Sequence, residues 1–163
     1  MAFHQYPPGI VGLSLYHARQ RVVANRERYD GNPEKERSGI VSSVVFGTIS
    51  RELWTDAIGI LGEMLVRSQV DLSGRHDHYT AGTFISPRPN DGADLIVGES
   101  RMAIKASEDG VPKVNRKAHT NGNCTHYTFV HLRSDGYSVS HYTRNDVDSW
   151  RVVDGPFSQY LTP

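Results

Sequence analysis

Cysteine is almost absent from this chain: Cys124 is the only one among 163 residues. A single thiol excludes an intrachain disulfide framework and fits a reducing compartment. With no evident base in the sequence around it, Cys124 reads as chemically inert. Long apolar runs are also missing. Gly, Arg or Ser interrupts each one before it nears the roughly 20 residues that a membrane helix needs. The opening Met1-Ala-Phe-His-Gln-Tyr6 has neither a basic nor an apolar leader segment, so the expected location is cytoplasmic, with no membrane partner. Net charge is lacking as well, since 18 Lys and Arg balance 18 Asp and Glu. The chain as a whole is therefore no general electrostatic binder of nucleic acid. Gly9-Ile-Val-Gly12 lacks the Lys-Ser/Thr that would make it a phosphate-binding loop.

One absence is local. Between Gly110 and Ser134 there is no Asp or Glu, while Lys113, Arg116, Lys117, Arg133, His119, His126 and His131 all fall in that span. A basic island in a neutral protein is either a solvated polar loop or a local anion-binding surface. Asn115-Arg116-Lys117-Ala118-His119 has the form of a capped short helix, from which side chains reach phosphates. Lys113, Asn115, Arg116, Lys117 and His119 are thus the candidate DNA-binding residues.

With 37% hydrophobic residues, the 163-residue chain is expected to form a single domain spanning 1–163. Pro7-Pro8-Gly9 marks the first nine residues as an irregular arm. Leu13 to Tyr29 reads as a helix with Leu15, Ala18, Val22 and Arg26 on one stripe. Asn32-Pro33-Glu34 has the chemistry of a helix start, and a second helix is expected from there to about Thr48. Residues 1–50 are accordingly expected to be a helical region. Ser50 caps a further helix in which Trp54, Ile58, Leu61 and Leu65 recur at three and four residues. The period then changes. Tyr79 to Ile85, Asp94 to Val97, Arg101 to Ala106, Thr125 to Leu132 and Tyr137 to Tyr142 are short β-rich runs. A last helical turn is expected over Asn145 to Trp150. Helices first and a mixed sheet later predict an α/β fold.

The chemistry concentrates in Asp94-Leu-Ile-Val-Gly-Glu-Ser-Arg-Met-Ala-Ile-Lys105. Strand alternation puts Arg101, Ala103 and Lys105 on one face and Met102, Ile104 and Ala106 on the other. The Gly98-Glu99-Ser100 connection folds the strand back and brings Asp94 toward the face of Lys105. Phosphodiester hydrolysis calls for a hard cation held by oxygens, which activates water and neutralises developing charge. Asp94 suits metal ligation, and Lys105 suits orienting the attacking water and contacting the phosphate. A carboxylate at 103 would complete such a site, and Ala103 supplies only a methyl. In the preceding helix Gly59, Gly62, Glu63 and Val66 cluster opposite the apolar stripe. The glycines allow close approach to a sheet, and an acid on that face is costly to bury without a cation or donor, which makes Glu63 a candidate for the same site.

Gly62-Glu63 in a helix, Asp94-Leu-Ile-Val, Met102-Ala-Ile-Lys105-Ala-Ser, the basic segment and His126-Tyr-Thr-Phe-Val-His-Leu132 together resemble the PD-(D/E)XK, or restriction-endonuclease-like, nuclease superfamily. The resemblance covers about 55–145. It implies an αβββαβ core with a mixed sheet, metal binding by Asp94 with Glu63 as accessory acid, and a catalytic role for Lys105. It further implies Mg²⁺ as cofactor and double-stranded DNA as substrate, and a small subunit that cuts both strands is expected to be a homodimer. Two departures stand out. Asn90-Asp91-Gly92-Ala93 replaces the usual proline, leaving Asp91 as a rival to Asp94. Ala103 occupies the second acidic position. Three readings of Ala103 stay open: the protein is an inactive DNA-binding relative, another acid such as Glu99 or Glu63 substitutes, or the alanine is a truncation within an otherwise intact site. The intact remainder of the pattern favours the last. A structure-selective resolvase or repair nuclease is the alternative activity on the same fold. His76 and His78 have a Zn²⁺-compatible spacing, but no further ligand pair accompanies them and they read as ordinary strand residues.

Overall fold

A computed structural model describes residues 2–28, 39–72, 78–79, 93–97 and 99–163. In chain order the elements are β1 (Phe3–His4), α1 (Ile10–Arg28), β2 (Ile40–Ser43), β3 (Gly47–Ser50), α2 (Arg51–Leu72), β4 (His78–Tyr79), β5 (Leu95–Val97) and β6 (Ser100–Ser107). They continue with β7 (Val114–Asn115), α3 (Arg116–Asn121), β8 (His126–Leu132), β9 (Tyr137–Thr143), α4 (Arg144–Asp148), β10 (Arg151–Asp154) and β11 (Gln159–Thr162). The fold is mixed α/β. Among the described residues the main sheet runs β1-β9-β8-β6-β5-β4, antiparallel throughout except for the parallel pair β6 and β8. A parallel pair needs a crossover, and here β7 and α3 lie within it. No helix among the described residues is long and apolar enough to cross a membrane.

Strand β6 is buried on both sides. Ile104, with Met102 and Ala106 at its margin, packs into a core with Ile58, Leu61, Leu65 and Val66 of α2 and with Leu95, Val130, Leu132 and Tyr137. Ala103 packs into a second core with Val114, Cys124, Tyr127, Phe129, Val147 and Leu161. The helix is drawn onto the sheet by a small-residue contact. A Cβ placed on Gly62 would stand 2.5 Å from the Cβ of Ala106, so only glycine permits this approach. Helix α1 lies outside α2, where Ala18 meets Ala57 and Ile60. Its buried positions Ile10, Ser14, Ala18 and Val22 are four apart, a helical stripe close to the expected one.

Three expectations are corrected. Residues 40–48, assigned to a helix by the Asn32-Pro33 start signal, lie in the β2-β3 hairpin that spans 40–50, and 29–38 lie outside the described residues. Ile40, Val41, Val44 and Val45 are β-branched. Gly47 sits at a φ of 73°, and the Ser43 hydroxyl accepts from the backbone N–H groups of Val45 and Phe46, a local bond that competes with helix. Among the described residues the N-terminal region is therefore one helix with strands on either side. The arm is not wholly irregular either, because Phe3–His4 pairs with β9 and the Tyr6 hydroxyl donates to the Arg133 carbonyl at 2.7 Å. Finally, the residues after Trp150, expected to be a tail from Gly155-Pro156 on, form β10 and β11, and β11 pairs with β7. Of the strand expected over 79–85, only β4 at 78–79 is described, and Asp91, His76 and residues 80–92 lie outside the described residues.

Gly62→Ala should lower stability by about 1–3 kcal/mol despite alanine's better helix propensity, because overpacking against Ala106 outweighs it. Thermal unfolding should show the loss, and Ala106→Gly in the same chain should recover some of it.

Candidate active site

The β5-β6 register ends at Leu95↔Met102, and Asp94 stands immediately before it. Asp94 is tied there from two directions. Its N–H donates to the Met102 carbonyl at 2.8 Å, and its Oδ2 accepts from the Ile104 N–H at 2.7 Å. Lys105 follows two residues after Ala103 on the same strand face and is exposed. Asp94 is thus bonded to the backbone on either side of Ala103, and Lys105 follows Ile104 directly on the same strand.

Helix α2 approaches from the other face of the sheet. An Arg67 N–H group donates to the Asp94 carbonyl at 3.3 Å, which fastens the start of β5 to the helix. Glu63 stands one turn before Arg67 on the same helical face, half-buried, and so lies on the flank of α2 that reaches Asp94. Glu99 sits exposed on the β5-β6 turn, at the opposite end of β6 from Lys105. At about 3.3 Å per strand residue it is roughly 20 Å from the lysine along the strand, too far to replace an acid at 103.

Among the described residues, the side-chain donors do not gather into a Mg²⁺ site. Ala103 is 4% exposed among apolar neighbours and offers no oxygen. Asp94 commits Oδ2 to a backbone amide, and among the described residues no three His, Cys, Asp or Glu side chains gather as a metal site. A hard cation takes six or more oxygens, most from water when the protein gives few, yet one or two protein carboxylates must still face it.

The basic segment is more structural than its sequence implies. Asn115 caps α3, its Oδ1 accepting from the Ala118 N–H at 3.0 Å, and its Nδ2 donates to the Ser158 hydroxyl at 2.9 Å. His119, expected to meet phosphate, is instead 5% exposed. Its Nε2 lies 2.5 Å from Asp148 Oδ1 and its Nδ1 lies 2.5 Å from the Tyr127 hydroxyl. With Asp148 accepting from Nε2–H, Nδ1 accepts the Tyr127 proton, and both ring nitrogens are used inside the protein. Arg144 completes the knot by donating to the carbonyls of His119, Gly122 and Cys124, the last carbonyls around the end of α3. Lys113, Arg116 and Lys117 remain exposed. Arg116 Nη1 donates to Gln159 Oε1 at 2.6 Å, and an open groove of about 380 Å³ is lined by Arg116, Lys117, Thr120, Asn121, Ser158 and Gln159. Ser158 and Gln159 escape the sequence pattern because nothing local marks the strand pair that delivers them.

On the Ala103 face, Phe129 is the neighbour of Lys105 across the β6-β8 pair. It carries an aromatic cluster, with ring centroids 5.7 Å from Tyr142 and 5.8 Å from Trp150. Burial pushes the phenols of Tyr127 and Tyr6 up to about 12, and burial also raises Tyr137.

A phenol that ionises near 10 when unfolded keeps its full contribution to stability below that pH. The contribution is lost as pH climbs from about 10 toward 12, because the unfolded chain releases the proton first. Denaturation midpoints at about pH 8 and about pH 11 should therefore differ, and Tyr127→Phe should shrink the difference. His119→Ala should cost about 1–3 kcal/mol by stranding the buried Tyr127 hydroxyl, whereas Lys117→Ala should leave the unfolding midpoint nearly unchanged.

No protein-family model matches the chain, and neither a curated protein nor a solved structure does.

Proposed function

We propose that the chain is a DNA endonuclease of the restriction type on the PD-(D/E)XK architecture, built for Mg²⁺ but one carboxylate short. The observation that carries this reading is the Ile104 N–H to Asp94 Oδ2 bond, which holds Asp94 against the strand that carries position 103 and Lys105. Support comes from the element order α2, β4, β5, β6, α3, β8, from the parallel β6-β8 pair, and from the exposed cations Lys113, Arg116 and Lys117 on the segment that follows Lys105. Duplex DNA is the substrate in this reading, and a homodimer supplies the second cut.

In the chain as it stands, Lys105 positions a phosphate and Asp94 stiffens the β5-β6 start through the Ile104 amide. Neither residue alone hydrolyses a phosphodiester. The burial of Ala103 among apolar side chains favours a second reading, a DNA-binding protein descended from a nuclease that no longer cuts.

Ala103→Asp separates the two. An aspartate there meets Asp94, so it should destabilise the metal-free protein by about 1–3 kcal/mol through like-charge contact and desolvation. Added Mg²⁺ should restore the melting temperature of this variant and leave that of the parent chain unchanged, by preferential binding to the fold. The variant should nick supercoiled plasmid with Mg²⁺, and Lys105→Ala in the same chain should abolish nicking. A folded, DNA-binding Ala103→Asp or Ala103→Glu chain that never nicks would sink the endonuclease reading.

A further inference from the structure

Phe157 is 98% exposed at the tip of the β10-β11 hairpin, the most exposed large apolar side chain among the described residues. Its setting is braced. Asp154 pairs with Gln159 across the hairpin, so Gly155-Pro156-Phe157-Ser158 forms a four-residue connection. The Gly155 N–H donates to the Ser158 carbonyl at 2.9 Å, and Gln159 Nε2 donates to Asp154 Oδ1 at 3.1 Å. A Cβ on Gly155 would stand 2.5 Å from the Tyr160 ring, so the connection folds over that ring only with glycine there. Pro156 removes further backbone freedom. The phenyl ring is therefore displayed on a fixed support, and the same hairpin is pinned to α3 by the Asn115–Ser158 and Arg116–Gln159 bonds.

Ser158 and Gln159, the two residues that follow Phe157, line the groove of about 380 Å³, so the ring and the groove lie at the same end of the hairpin. Two cations, Arg116 and Lys117, line it with the polar Thr120, Asn121, Ser158 and Gln159, and no carboxylate is among the lining residues. An apolar ligand would desolvate these groups without compensation. The matching chemistry is an anion joined to a flat ring with polar edges. We propose that Phe157 and this groove hold one unpaired nucleotide of a DNA strand, the base stacked on Phe157, its phosphates on Arg116 and Lys117, and its edge against Asn121 or Gln159.

Bases inside a duplex are already stacked on both faces, so a protein ring reaches one only where a nucleotide is unpaired or turned out. The inference rests on the DNA reading above and narrows its substrate to DNA with a bulge, junction or single-stranded element. It moves the balance from an uninterrupted restriction site toward a structure-selective substrate.

The test uses the full chain in metal-free buffer, so that binding is separated from cleavage. The probes are a paired duplex, the same duplex with one 2-aminopurine bulge, and a single strand, read by anisotropy. The parent chain should bind the bulged and single-stranded probes roughly tenfold more tightly than the paired duplex, the scale of one base–aromatic stack. It should also quench the 2-aminopurine emission as the base stacks on the ring. Phe157→Ala should lose both the preference and the quench, and Phe157→Trp should keep them. Because the ring is exposed, neither change should move the unfolding midpoint. Arg116→Gln and Lys117→Gln should weaken all three probes and flatten the salt dependence. Equal binding of all probes by the parent chain, or an unchanged preference in Phe157→Ala, would overturn the nucleotide site alone if duplex is still bound. Failure to bind any DNA probe would overturn this site and the DNA reading together.

Discussion

The close contact of Gly62 with Ala106 sets where α2 lies on β6, and most of the site's geometry follows from it. With the helix this near, Ile58, Leu61, Leu65 and Val66 reach the sheet and bury Ile104, Val130 and Leu132. Each such side chain contributes about 1.5–3 kcal/mol when fully withdrawn from water, so the helix is held by several independent anchors. The same placement lets Arg67 reach the Asp94 carbonyl and puts Glu63 one turn away. A bulkier residue at 62 would lift the helix and loosen the start of β5, where Asp94 is held.

The opposite face of β6 answers to a different constraint, the need to satisfy polar groups inside a small C-terminal layer. Tyr127, His119 and Asp148 satisfy one another, and Arg144 takes three carbonyls at the end of α3. With the inward polar groups paired in this way, α3 turns Arg116 and Lys117 outward to solvent. Ser43 ties the β2-β3 hairpin to β6 in a similar way through a hydrogen bond to the Glu108 carboxylate. The exposed basic surface is thus the outer side of a well-satisfied interior and needs no loop rearrangement to present its cations.

Much of this is legible in the residues. Helices α1 and α2 carry a period of three to four, β5, β8 and β9 carry β-branched and aromatic runs, and β6 alternates around Met102 and Ile104, so their places follow from local chemistry. The pairing of β5 with β6 is legible too, because a short connection between two strands leaves little choice of register. The β2-β3 hairpin is not, since a strong helix-start signal at Asn32-Pro33 stands before a segment whose own Val and Ile residues decide otherwise. Strands β10 and β11 escape because some of their support is β7, far back in the chain. The burial of His119 is hidden for the same reason. Its partners lie 8 and 29 residues away, and nothing in the basic run signals that one member turns inward.

The proposed function rests on an acid at position 103 being able to join Asp94, beside Lys105 on β6, in holding a divalent cation. Titrating Mn²⁺ into ¹⁵N-labelled Ala103→Asp protein and following the loss of amide signals tests it most directly. The account predicts early broadening confined to the amides around 93–95 and 102–106, with no such selectivity in the parent chain. Broadening centred elsewhere, or none in a folded variant, would contradict it.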